Sequence, residues 1–238
     1  YLLNKFKTNG HKVFGIEPSP MAEISKSKFG LEVENDFFDK SKFDDCSMDL
    51  VIMRHVLEHV EDPVEFLEAA YSKLKIGGKL YIEVPNSFWS LENCYFPEFH
   101  IDHISYFTIG SLYNIISKLP GVSIDRIEQF NGYIKFPFLG AVITKTEDNH
   151  LNNLINPLQD FSMPLLIEKF KNSYQRYIDN LLKINTNGKL IVWGTGSIGT
   201  QFAVDAKWSK DDVFYVDINP NSHGLKISST GHEIFSPE

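Results

Sequence analysis

Two short stretches of this chain gather side chains that can move protons. In the first, Arg54, His55, Glu58 and His59 follow directly on an apolar run, Leu50 to Met53. In the second, His100, Asp102 and His103 fall together in an aromatic setting that runs on to Tyr106-Phe107. A histidine beside a carboxylate has its charged form stabilised, so it can serve as a base near neutral pH. Asp102-His103 reads as such a pair, or as a lid held by a buried Asp–His hydrogen bond. His55 and His59 stand at i and i+4, which on a helix would put two zinc ligands on one face. No third ligand follows nearby, and Glu58 is not directly after the first histidine as in metalloproteases, so no metal is expected. Either histidine also reads as a hydrogen-bonded structural residue at a strand end.

The elements around these stretches must set their positions. Leu50 to Met53 is a short buried strand. A helical pattern follows from Pro63 to Lys75, with Val64, Phe66, Leu67, Ala70 and Leu74 at helical spacing and Gly77-Gly78 as its stop. Lys79 to Val84 is a second strand, closed by Pro85. Strand, helix and strand make a βαβ unit and so a parallel sheet. In open parallel sheets the ligand lies beyond the carboxyl ends of the strands. Arg54, His55, Glu58, His59, Pro85 and Asn86 are placed there.

Upstream, Tyr1 to Asn9 reads as a helix with Gly10 at its C-cap, and His11 to Ile16 as a strand. A helix from Met21 to Phe29 is stopped by Gly30, and Leu31 to Phe38 contains a third strand ending near Asp36-Phe37. Glu17, at a strand tip, can accept two hydrogen bonds from a ribose diol or can cap the next helix. Downstream come a helix over 108–119, capped by Thr108, and two closing strands, Val122 to Phe130 and Ile134 to Thr144. Tyr133 and Lys135 fall where they can reach an acceptor. A polar stretch precedes a helix over 165–182 with an aromatic stripe, Phe170, Tyr174 and Tyr177. Leu190 to Trp193 is then a strand, Gly194-Thr195-Gly196-Ser197-Ile198-Gly199 a G-x-G-x-x-G turn, and Asp217 the acid at the tip of the next strand, Val213 to Val216. By itself this second unit reads as a dinucleotide site, or as a turn that only packs strand on helix. The domains expected are 1–148, a helical linker 149–187, and a smaller Rossmann-like unit 188–238.

Met48 to Asn86 resembles class I S-adenosylmethionine-dependent methyltransferases. The resemblance rests on Asp49-Leu50-Val51, His55-Val56-Leu57-Glu58-His59, Asp62-Pro63 and Gly77-Gly78. It implies an α/β, Rossmann-like methyltransferase sheet and S-adenosylmethionine as cofactor. Glu17 and Pro18, in Gly-Ile-Glu-Pro-Ser, would then hold the cofactor ribose, Asp36 and Phe37 its adenine, and Arg54 and His55 would line it, with His59 facing the substrate. The family's glycine-rich loop belongs before the Tyr1 helix and is not in this chain, so a fragment, or a polypeptide that has lost cofactor binding, is expected. The block 99–107 resembles the E-H-x-x-Y-F segment of sugar-nucleotide C-methyltransferases. Asp102 takes the acidic position, His103 the histidine, and His100 stands where some relatives carry Tyr. This implies C- or O-methylation of a nucleotide-linked sugar, with His103 as base, Asp102 assisting it, and His59 and His100 stabilising an enolate. The tail from Asp217 resembles the C-terminal domain of the same group, in which the unit helps bind the sugar nucleotide and carries no nicotinamide. The competing readings are a nicotinamide-dependent oxidoreductase using Gly194 to Gly199, which lacks a following Tyr-x-x-x-Lys pair, and a non-catalytic binding module.

Composition sets outer bounds. A net charge of −8 over 238 residues, with scattered basic residues, argues against a nucleic-acid partner. No apolar run approaches membrane-spanning length and no signal peptide is visible. The two cysteines, Cys46 and Cys94, have no metal or redox spacing and suit reduced thiols in the cytoplasm.

Overall fold

Helix α1 (Leu2–Thr8) leads through a turn to strand β1 (Gly15–Ile16), helix α2 (Met21–Phe29) and strand β2 (Val33–Glu34). The computed structural model describes residues 1–100, 102–131, 136–148, 162–183, 189–206, 211–227 and 230–238. β1 and β2 run parallel, Gly15 opposite Val33 and Ile16 opposite Glu34. β1 is shorter than the predicted 11–16 because its partner offers only two residues of ladder. Gly30 ends α2 as the sequence indicates: it adopts φ 59°, and its amide donates to the Lys26 carbonyl.

Strand β3 (Met48–Arg54), helix α3 (Pro63–Ser72) and strand β4 (Leu74–Pro85) form the predicted parallel βαβ unit. Asp62 caps α3 by accepting from the amides of Val64 and Glu65, and Pro63 fills the first helical position, where no amide donor is needed. Leu67, Ala70 and Tyr71 turn one face of α3 onto Leu80, Ile82 and Val84 of β4 in the main core. Gly77-Gly78 is not the helix stop. α3 ends at Ser72 and β4 has already begun at Leu74, so the two glycines fall in a bulge where the register jumps from Met48↔Leu74 to Leu50↔Lys79. Gly77 has φ 80°, and a Cβ on Gly78 would lie 2.9 Å from the Lys75 carbonyl oxygen.

Helix α4 (Ser87–Glu92) is capped by Asn86, and α5 (Ile109–Ile116) by a reciprocal capping box between Thr108 and Ser111. Strands β5 (Val122–Asn131) and β6 (Pro137–Lys145) are antiparallel, and β6 pairs antiparallel with β4, giving the order β3-β4-β6-β5. The strands of this half thus fall into two sheets, where the resemblance implies one. Among the described residues β3 pairs on one side only. Its other side borders a groove of about 390 Å³ lined by Leu2 and Phe6 of α1 with Leu50, Ile52, Arg54, Tyr81 and Glu83. Tyr133 and Lys135 lie outside the described residues, as do 149–161.

Helix α6 (Met163–Leu182) precedes β7 (Leu190–Trp193), α7 (Ser197–Ala206), β8 (Val213–Val216) and β9 (Ile234–Phe235). The last three strands form a parallel sheet in the order β7-β8-β9 with its own small core around Val192, Val213 and Tyr215. The aromatic stripe of α6 is packed, not free. Phe170, Tyr174 and Tyr177 sit 5.2, 5.3 and 5.2 Å from Phe96, and Phe170 lies 4.5 Å from Phe99. The Tyr174 hydroxyl donates to Asp205 of α7 at 2.7 Å. No described helix is long and apolar enough to cross a membrane.

Candidate functional site

The parallel register of β3 and β4 sets Arg54 opposite Glu83 at the carboxyl end of the sheet. The chain then breaks out of the strand at His55, which adopts the left-handed φ of 52° that side chains other than glycine rarely take. This turn lets the His55 amide donate to the Glu83 carbonyl and carries its ring between two carboxylates. Nδ1 is 3.1 Å from Glu58 and Nε2 3.1 Å from Glu83. Arg54 donates to Glu83 at 2.7 Å and the Tyr81 hydroxyl does so at 2.7 Å. Burial works against the Glu83 charge, but the bonds from Arg54 and Tyr81 outweigh it and hold the carboxyl below its ordinary range.

A single helical turn over Leu57–His59 follows, with Glu58 buried. The Glu58 carbonyl accepts the amides of Ile104 and Ser105 at 2.9 and 3.0 Å, and His59 Nδ1 meets the Asp102 carbonyl at 2.7 Å. These bonds pin the second proton-moving stretch against the first. The His59 and His103 rings meet edge to face at 4.9 Å, and His100 and His103 lie 3.9 Å apart.

The expected Asp102–His103 side-chain pair does not form. A turn closed by the His103 amide on the His100 carbonyl puts Asp102 at its exposed corner, with a side chain 73% accessible and 3.8 Å from His100. The carboxylate beside His103 is Glu98, 3.3 Å from Nδ1, with both side chains nearly buried. The signal for it was a lone acid inside the aromatic run Tyr95-Phe96-Pro97-Glu98-Phe99. Burial pushes the Glu98 carboxyl up, and His103 only partly offsets this. Burial also opposes a charged His103, yet the Glu98 contact wins and raises its pKa. His100 is lowered, first by burial and then by the neighbouring His103.

Glu17, Pro18, Asp36 and Phe37 form a second group at the tips of β1 and β2. Glu17 Oε1 accepts the Ser19 amide at 3.0 Å, which closes a turn ahead of α2 and does not cap that helix, whose N-cap is Pro20. Asp36 accepts its neighbour Phe37's amide at 2.8 Å and pairs with Lys42, and these bonds hold its carboxyl low. The Phe37 ring is exposed. Among the described residues, no hydrogen bond, ion pair or ring contact joins this group to the histidine cluster.

In the last unit, a Cβ on Gly199 would lie 2.0 Å from the Gly194 carbonyl oxygen, so glycine there serves close strand–helix packing. Asp217 is turned onto the loop and accepts from the Thr195 amide at 2.8 Å and hydroxyl at 2.6 Å. The Thr195 hydroxyl, the Asn219 amide and the Thr195 amide bring its pKa down to about 2.

A family model described as a methyltransferase domain matches residues 1–119. No curated protein matches the sequence. Among solved structures, the complex of the Haloferax volcanii Trm112 methyltransferase activator with a putative methyltransferase is similar over 63% of this chain and 78% of that one, at 19% identity and a TM-score of 0.52. At that identity the likeness shows a shared fold, the mixed α/β Rossmann-like one. A Burkholderia thailandensis 1,6-didemethyltoxoflavin-N1-methyltransferase, solved with bound 1,6-didemethyltoxoflavin and S-adenosylhomocysteine, is 16% identical over 60% of this chain and 64% of that one, with a TM-score of 0.46. A SAM-dependent methyltransferase from Archaeoglobus fulgidus is 22% identical over 61% and 80%, also at 0.46.

Proposed function

The chain belongs to the family of methyltransferase domains, and from that membership we propose that it moves a methyl group from S-adenosylmethionine to a nucleotide-linked sugar, with His103 as the base. The observation that carries the reading is the buried Glu98–His103 pair beside the carboxyl end of β3. The resemblance of the block 99–107 to sugar-nucleotide C-methyltransferases supports the choice of acceptor.

The residues present suit the donor. Glu17 has one oxygen tied to the Ser19 amide, which aims the carboxylate from the tip of β1, and a second oxygen available for a ribose hydroxyl. Pro18, Asp36, Phe37, Arg54 and His55 complete the holding group. Bound there, S-adenosylmethionine supplies an electrophilic methyl carbon. The chain's own part is to make the acceptor nucleophilic. His103 takes the acceptor proton on the nitrogen that does not face Glu98, and Glu98 steadies the imidazolium that results. His59 and His100 flank the negative charge left on the acceptor. With a keto-sugar this is an enolate and the product is C-methylated; with a hydroxyl it is O-methylated.

The test is turnover of a nucleoside-diphosphate keto-sugar, followed as S-adenosylhomocysteine release. His103→Ala is expected to lower kcat by about 10²–10⁴-fold while the affinity for S-adenosylhomocysteine stays unchanged. Undiminished turnover by the variant removes His103 from the chemistry.

A further inference from the structure

The same corner of the molecule holds a second arrangement. One side-chain ligand atom from each of Glu58, His59 and His103 lies within 4.8 Å of the other two. The i, i+4 histidines of the sequence are not the pair involved. His55 is turned between Glu58 and Glu83, and the second imidazole arrives from the loop that follows α4. We propose that Glu58, His59 and His103 bind a divalent first-row transition ion of the zinc class.

Each of the three is fixed from behind. Glu58 has a side chain only 2% accessible, and Oε1 contacts His55 Nδ1 at 3.1 Å. Its Oε2 is buried and has no hydrogen-bond partner. A carboxylate oxygen left unmatched inside a protein is costly, and a cation held by this carboxylate offsets the cost. His59 Nδ1 lies 2.7 Å from the Asp102 carbonyl, a partner that only an N–H can satisfy. In the neutral ring this puts the lone pair on Nε2, which is 4.0 Å from Glu58 Oε1, the oxygen that also contacts His55. His103 turns Nδ1 to Glu98 at 3.3 Å, which leaves its other nitrogen for a ligand. The Asp102 carbonyl behind His59 is the backing that metal-bound histidines have and sets its tautomer and ring orientation, while Glu98 stands behind His103 at 3.3 Å as a charge partner.

The donor set selects the ion. Two imidazoles and a carboxylate suit zinc, cobalt, nickel or iron, whereas calcium and magnesium take oxygen ligands. Ligand atoms about 2.0–2.2 Å from a zinc ion stand roughly 3.3–3.6 Å from one another, so the group must close slightly on binding. His59, the most accessible of the three with a side chain 39% exposed, has room to move. Three protein ligands leave a position open to water or to an acceptor oxygen. The ion and the acceptor proton compete for the same nitrogen of His103, so an occupied site blocks the proton transfer proposed above. The binding itself does not rest on that reading.

Cobalt(II) is the probe, because its visible absorption reports the coordination sphere directly. Added to the metal-free full chain, it should give a saturable band at one ion per chain that zinc abolishes. His59→Ala and His103→Ala should each weaken binding more than 100-fold, and Glu98→Gln should weaken it about 10–100-fold. Glu58 is buried and its replacement can unfold the corner, so the decision falls on His59→Ala, with the fold checked by circular dichroism. No saturable band in the unaltered chain, or one that His59→Ala leaves intact, overturns the site. Neither result depends on methyl transfer.

Discussion

Glu83 is a buried carboxylate kept ionised by donors from two strands, Arg54 of β3 and Tyr81 of its own β4. Its folded pKa lies below the ordinary 4.5, so its contribution to stability is complete above that value and is lost as the pH falls through the lower folded one. Arg54→Met removes the stronger donor. The variant should lose about 1–3 kcal/mol near neutral pH, because Glu83 stays buried with one charge partner fewer. Its acid unfolding should also begin at higher pH than in the unaltered chain. Urea midpoints measured from about pH 7 to about pH 3 check both expectations. The chemistry of this corner was partly legible in the sequence. Arg54, His55 and His59 announce themselves because charged and imidazole groups follow an apolar strand. Glu83 and Glu98 do not, since Glu83 depends on a strand register and Glu98 on how a loop folds back. Adjacent residues such as Asp102 and His103 are near in sequence, but a turn between them sends one to solvent and the other inward.

At the scale of elements, local rules carried well wherever one residue decides the outcome. Asp62-Pro63 begins α3, Thr108 begins α5, and Gly30 ends α2, each through a hydrogen bond or dihedral that its side chain, or lack of one, allows. Gly77-Gly78 misled because glycine after a helix serves a C-cap and a bulge equally well. Deciding between them requires knowing that β4 starts pairing with β3 at Leu74 and then jumps to Lys79. The assignment has a measurable consequence. Gly77 holds φ 80° with open space where a Cβ would stand, so Gly77→Ala meets backbone strain and no clash. It should cost about 1–2 kcal/mol in urea unfolding and leave donor affinity unchanged, because the bulge lies at the opposite end of β3 from Arg54.

Over the whole molecule, α6 is the element through which the two halves meet. One flank of its stripe packs on Phe96 and Phe99, the residues either side of the Pro97-Glu98 step, and Tyr174 reaches Asp205 of α7. So aromatic a helix must pack against something, and that much is legible in its spacing. The surface it covers, the loop bearing Glu98, His100 and His103, is set by long-range packing that no local pattern encodes. Each half has its own core, around Leu80, Ile82 and Leu139 in one and Val213 and Tyr215 in the other. Phe170→Ala therefore has two separable effects. It removes the contacts on Phe96 and Phe99, which should cost about 2 kcal/mol at a half-buried aromatic and free Glu98 to shift relative to His103. Turnover should fall while S-adenosylhomocysteine affinity holds, because Glu17 and Asp36 lie on β1 and β2, away from this contact. Tyr174→Phe keeps the ring and loses only the bond to the buried Asp205, so it should cost about 1 kcal/mol and spare turnover. If α6 couples the halves, Phe170→Ala should also split a single urea transition into two when the fluorescence of Trp193, isolated by Trp89→Phe and Trp208→Phe, is followed against far-ultraviolet circular dichroism. Equal losses of turnover in both variants would mean that α6 stabilises the chain generally and does not position the histidine loop.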